Sequence, residues 1–320
     1  MNDKMRSLSK SKKKNNEDQD RINKFNAISK STNVVLNILF IILAALCIVP
    51  FLFVVIISFT NEQSLQLNGY RFWPEEWSLD AYKYIFTSGN NILNAYGITI
   101  FVTITGTLLG LIIMTTYGYA LSRKSFAYKK FFTKLIFIPM LFSGGIVASY
   151  LVVTRFLNLK NNLLALILPI CVSSFHIIIL RTFFKTTVPD AVIESAKIDG
   201  ASEWVLFLKI VLPISLPAIT TIALFLTLGF WNDWFNAMLY IDESNLMPLQ
   251  YLLIKLETSI EFLINNSASL GITAVEQASK LPRDTVKMAI VVISTLPIIC
   301  AYPFFQKYFV SGLTVGAVKE

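Results

Sequence analysis

The sequence predicts an all-α integral membrane protein with six transmembrane helices, and three observations carry that prediction. Of 320 residues, 54% are hydrophobic and only 15% are charged, where a soluble domain carries about a quarter. The mean hydropathy is +0.60. The missing charge is concentrated in long stretches that hold no Asp, Glu, Lys or Arg, each close to the roughly 20 apolar residues that cross a bilayer.

The elements follow in order. Residues 1–33 are a basic, Lys-, Asn- and Ser-rich tail, expected to be disordered. It either binds anionic lipid or fixes topology as a solvated tail. Residues 34–320 form the spanning domain, with apolar segments at about 34–59, 95–121, 131–153, 163–180, 211–240 and 287–308. The first is too long for the apolar region of a signal peptide and has no small-residue cleavage site, so it reads as a retained span. The fourth is the shortest and carries Pro169 and His176; the fifth is long enough to tilt or emerge at one end.

Nine basic residues lie in the tail, and the second and fourth connectors hold Arg123, Lys124, Lys129, Lys130 and Arg181, Lys185, Lys197, Lys209. The alternate connectors are poorer in Lys and Arg. Basic loops stay inside, so both termini and those two connectors are expected in the cytoplasm.

Several features admit two readings. Gly106 and Gly110 have the small-xxx-small spacing that lets helices approach closely; packing is the simpler reading and a hinge the other. Gly144-Gly145 after Pro139 interrupts the third span, as a kink or as a break lining a path. His176 reads as a hydrogen-bonded interior residue rather than a proton relay, because its span holds no acid. Cys47, Cys171 and Cys300 all lie in apolar runs, which suggests neither a disulfide framework nor a metal site. There is no phosphate-binding G-x-x-x-x-G-K-[ST] run, so this chain is expected to hydrolyse no nucleotide of its own. Nothing in it calls for a nucleic-acid partner.

The strongest local signal is the fourth connector, about 181–210. Pro189 stands at the first turn of a predicted helix, where a missing N–H costs nothing. Asp190 and Glu194 lie near the positive end of its dipole. Gly200 can take the left-handed conformation that ends it. Ala191, Ala196 and Ala201 keep the bend small enough for a tight groove. A helix lying on the membrane surface is the bland alternative; balanced charge and small residues favour docking into a partner.

The run Glu194-Ser195-Ala196, three residues, Gly200, nine residues, Ile210, one residue, Leu212-Pro213 resembles the E-A-A-x3-G-x9-I-x-L-P motif of permease subunits of binding-protein-dependent ABC importers. Ser195 in place of Ala is the one departure. Trp231-Asn232-Asp233 and the six-span layout resemble the oligosaccharide, maltose-type permeases. The ending Tyr302-Pro303-Phe304-Phe305-Gln306-Lys307-Tyr308-Phe309-Val310 resembles the complex-sugar or aldouronate branch.

That resemblance implies the type I importer permease fold, without catalytic residues. The expected cargo is an oligosaccharide or complex-glycan fragment. Glu194, Ser195, Ala196, Asp199, Gly200 and Ala201 would form the coupling helix. The implied partners are an ATPase dimer that binds ATP and Mg, a second homologous permease, an extracellular substrate-binding lipoprotein and the lipid bilayer. No metal or cofactor is expected in this chain.

The acidic connector 241–286, with Asn265, Asn266 and Glu276, either reaches the binding protein or caps the bundle. In the first external connector, Tyr70, Trp73, Trp77 and Tyr82 suit interfacial anchoring. Trp231, Asn232, Asp233 and Asn236 combine stacking surfaces with polar groups, which suits either a sugar path or a helix-packing network. A self-sufficient secondary transporter or channel is the competing function class, and a non-sugar cargo the competing reading within the importers. A single deep acid and no evident internal repeat weigh against the former.

Overall fold

The computed structural model of the chain describes residues 29–88, 92–270 and 282–317. The basic tail up to residue 28 and Glu276 of the acidic connector lie outside the described residues. Two compact units divide the chain, Met1–Ile56 and Ile57–Glu320. The described part of the first belongs to α1 (Lys30–Ser58), apolar on every side, as a helix surrounded by lipid must be.

The second unit is built from helices; among the described residues the only strand-like pairing is an isolated bridge between Thr60 and Trp77. Its elements are α2 (Glu62–Asn68), α3 (Asp80–Ser88), α4 (Ile92–Ser122), α5 (Lys129–Leu141), α6 (Gly145–Phe156), α7 (Leu164–Ile167), α8 (Ser174–Thr187), α9 (Asp190–Ile198), α10 (Glu203–Ile214), α11 (Leu216–Trp231), α12 (Phe235–Tyr240), α13 (Leu249–Leu270) and α14 (Arg283–Ala317).

The centre of the unit is α4 packed against α8 and α11. Gly106 and Gly110 are the notches that permit it. A Cβ on Gly106 would stand 2.3 Å from the Phe230 ring, and one on Gly110 2.3 Å from the Cys171 carbonyl oxygen. Met114, Leu180, Phe184, Leu206, Val211 and Ile222 fill the buried space between these helices.

Three described helices, α1, α4 and α14, are each long and apolar enough to cross a membrane unbroken. Two further apolar stretches are bent pairs. α5 and α6 meet at 118°, because Phe142 is extended (φ −125°) and Gly145 has φ +77°, which ends one helix and restarts another. α10 and α11 meet at 80° around Ser215, flanked by Pro213 and Pro217, whose rings break the hydrogen-bond ladder.

The predicted fourth span is divided. α7 has only four residues, and α8 starts at Ser174 and continues to Thr187. The fifth apolar run ends its helix at Trp231 instead of Tyr240. His176 also differs from expectation: its ring stacks on Phe225 at 6.0 Å, and its buried Nδ1 finds no hydrogen-bond partner among the described residues.

The acidic connector, expected as a loop, contains the 22-residue helix α13. Leu249, Leu253 and Ile260 bury one side of it in a second apolar cluster with Ile85 of α3 and Val286, Ala289 and Ile293 of α14. Polar contacts close the same end. Glu62 accepts from the Asp284 N–H, the Thr285 N–H and the Thr285 hydroxyl (3.2, 3.0 and 2.7 Å), satisfying the free donors at the start of α14. Lys287 pairs with Glu261 at 2.6 Å and with Glu257 at 3.6 Å.

Pro297 lies inside α14 and leaves the Ile293 carbonyl without its helical donor. The Tyr96 hydroxyl donates to that oxygen at 2.8 Å, and the Trp231 indole donates to the next carbonyl, Ser294, at 2.9 Å. Neighbouring helices thus repair the ladder that the proline opens.

Candidate coupling helix and translocation path

α9 is a nine-residue helix whose ends are both defined by sequence. Pro189, the residue before it, is extended (φ −62°, ψ 137°), one place earlier than the predicted first-turn position. At the other end Gly200 has φ +83°. The Ala201 N–H donates to the Ala196 carbonyl at 2.9 Å and the Gly200 N–H to the Lys197 carbonyl at 3.0 Å, the paired bonds of a left-handed helix stop.

The six residues expected on this element face two ways. Ala196 and Ala201 pack against the apolar core, beside buried Ile193. Glu194, Ser195, Asp199 and Gly200 are exposed. The Ser195 hydroxyl turns back to donate to the Val192 carbonyl at 3.2 Å, so the residue that departs from the motif adds little width to the outer surface.

Ion pairs hold both ends. Lys124, in the connector after α4, reaches Asp190 at 2.7 Å; Lys197 reaches Glu203, the first residue of α10, at 2.7 Å. Lys124 holds the Asp190 carboxyl below the usual carboxylate range. Lys197 and then the Tyr119 hydroxyl do the same for Glu203.

The second set of residues, Trp231 to Asn236, occupies the junction of α11 and α12. Trp231 is buried and its N–H is committed to α14. Asn232 is exposed and its amide donates back to the Leu228 carbonyl at 2.9 Å. Asp233 accepts from the Asn236 N–H at 3.1 Å and from its amide at 3.0 and 3.1 Å, which caps α12. Asn236 lines a cleft of about 300 Å³ at the α5–α6 break, together with Ser143, Ser149 and Tyr240. The four residues are close in sequence, but only Asn236 lines that cleft. Among the described residues no group of three or more His, Cys, Asp or Glu gathers as a metal would require.

Residues 106–315 match the family described as binding-protein-dependent transport system inner membrane component. Protein LplC of Bacillus subtilis (strain 168) is 40% identical over 89% of this chain and 94% of its own. The polygalacturonan/rhamnogalacturonan transport system permease protein YtcP of the same strain is 37% identical over 86% and 94%. Among solved structures, a chain of a bacterial ABC transporter involved in the import of the acidic polysaccharide alginate superposes with a TM-score of 0.71. It shares 26% identity and covers 88% of this chain and 99% of its own.

The chain belongs to this family of transport permeases. Membership places it in the bacterial cell membrane as a transport subunit that works with an ATPase and a binding protein. Sequence reasoning on the permease passed over four residues around α9. Ile198 and Trp204 are large apolar side chains left 86% and 66% exposed beside the motif; an isoleucine between Lys197 and Asp199 is the available signal. Tyr119 and Glu203, 84 positions apart, are joined by a 2.6 Å hydrogen bond, and no local pattern announces such a pair.

Proposed function

We propose that this permease imports an oligosaccharide or complex-glycan fragment, with α9 as the coupling helix that docks into a cytoplasmic ATPase dimer. One observation carries the assignment of α9: Ala196 and Ala201 seat the helix on the bundle while Glu194, Ser195, Asp199 and Gly200 remain outside. A helix so divided can follow a partner on one face and move the bundle with the other. The cargo class rests on the relatives, whose names specify pectic polysaccharides in one case and alginate in another.

ATP and Mg bind the ATPase, and this chain breaks no bond. A second homologous permease completes the path: α1 exposes apolar side chains along its length, as a helix that meets lipid and a partner does. Both termini face the cytoplasm, in keeping with the basic tail and the basic second and fourth connectors. The cleft at Asn236 is the polar stretch of the path, and Asp233 holds Asn236 in place.

The test is Glu194→Lys, which reverses charge on the exposed face without touching the buried one. The variant is expected in the membrane at normal abundance, with uptake abolished. Normal uptake by that variant would remove α9 from the coupling role.

A further inference from the structure

We propose that Glu203 is a positioning residue for coupling: its carboxylate ties the end of α9 to both α4 and α10, so that displacement of α9 reaches two membrane helices together. The inference rests on the coupling role of α9 proposed above and assigns the residues that pass the movement on.

A nine-residue helix is marginal by itself, so whatever moves it must hold it firmly to its load. The Lys124–Asp190 pair leaves its side chains 81% and 60% exposed and contributes little to rigidity. The Lys197–Glu203 pair is also partly exposed, at 42% and 50%; what sets Glu203 apart is a second partner that is buried. Its Oε1 accepts from Lys197 of α9 at 2.7 Å, and its Oε2 accepts from the Tyr119 hydroxyl of α4 at 2.6 Å. Each carboxylate oxygen therefore serves a different helix.

Tyr119 is itself fixed. It is buried, with the Phe207 ring 4.9 Å away and the Arg123 guanidinium 5.1 Å from its centre. Arg123 is held in turn by the Ser122 hydroxyl at 3.1 Å. At the other side, Ser202 caps α10 by accepting from the Val205 N–H at 3.4 Å, and the charge of Glu203 suits the first turn of that helix. Flexible contact at this point would let α9 follow the ATPase while α4 stayed behind. A carboxylate gripped by a rigid phenol and a lysine converts three helix ends into one body.

The arms can be cut separately. Lys197→Met removes the α9 arm and Tyr119→Phe the α4 arm, and both keep the side-chain volume. The complete transporter, with ATPase, second permease and binding protein, is reconstituted in lipid vesicles. ATP hydrolysis and uptake of a tritiated mixture of pectin- and alginate-derived oligosaccharides are measured together. Both variants are expected to assemble and to hydrolyse ATP, while uptake per ATP falls about fivefold or more, the range of a modest coupling energy. The reversed pair Lys197→Glu with Glu203→Lys is expected to recover uptake per ATP relative to Glu203→Lys alone.

An unchanged ratio in both single variants overturns the proposal, as does loss of the ATPase from the complex or failure of the reversed pair to recover. Lack of ATP-dependent uptake in the unmodified transporter is a separate result. It overturns the oligosaccharide cargo proposed above, on which this inference rests.

Discussion

Glu203 is charged throughout the physiological range, because Lys197 and Tyr119 both donate to its ionised form and Arg123 adds a favourable field. A carboxyl whose value is lowered on folding contributes stability that is present above its ordinary value and is lost as pH falls through the folded one. Uptake per ATP in vesicles should therefore stay level from about pH 8 to about pH 5, the carboxylate range lying lower. A break near neutrality would show that the carboxylate is not paired as described. Glu62 acts through hydrogen bonds. Its three bonds to the start of α14 make Glu62→Ala a loss of about 1–3 kcal/mol, read as a lower unfolding temperature in detergent. At this scale the sequence marks Gly200 clearly, because a helix stop is local. Asp233 is less legible: a lone acid in an apolar run suits a polar path or a packing network equally, and only the fold shows its oxygens accepting from Asn236 three residues on. Tyr119 and Glu203 are illegible in advance, since only the fold brings them within 2.6 Å.

Among the elements, α4 depends most on single atoms. Gly110→Ala would push a methyl group to 2.3 Å from the Cys171 backbone oxygen, and a backbone atom cannot turn aside as a side chain can. The expected cost is about 1–3 kcal/mol, seen as reduced thermal stability with normal helical circular dichroism. Stability equal to the parent would mean that the α7–α8 break yields readily. Hydropathy finds the apolar stretches but carries no direction, which is why the 118° turn between α5 and α6 is absent from a count of spans. The pair Gly144-Gly145 marks its place without revealing its angle. α13 was within reach: Leu249, Leu253, Leu256 and Ile260 recur at spacings of four and three, the pattern of one helical face. Acidic charge and low hydropathy concealed it behind the search for spans.

For the whole molecule, a transport subunit of this family works with a separate ATPase, and α9, seated by Ala196 and Ala201 with Glu194 and Asp199 outside, is the element proposed to meet it. Tagged in its native membrane and solubilised gently, the permease is expected to bring with it a nucleotide-binding ATPase, a second permease and a lipoprotein. The Glu194→Lys variant should lose the ATPase alone and keep the second permease. Recovery of the chain by itself under several mild detergents would contradict the assembly. The lipoprotein so obtained can be screened directly against pectic and alginate oligosaccharides, which separates the cargo from the mechanism.

The repair of α14 at Pro297 has a spectroscopic consequence. Of five tryptophans, Trp73, Trp77, Trp204 and Trp234 stand 83%, 59%, 66% and 40% exposed, whereas Trp231 is 6% exposed with its indole N–H on the Ser294 carbonyl. With the four exposed rings changed to phenylalanine, the remaining emission comes from one indole wedged between two helices. Any step of the transport cycle that draws α14 away from α11 strips that indole of its acceptor and admits water. The fluorescence would then shift to longer wavelength in time with the cycle, and the last helix would report its own displacement without an added dye.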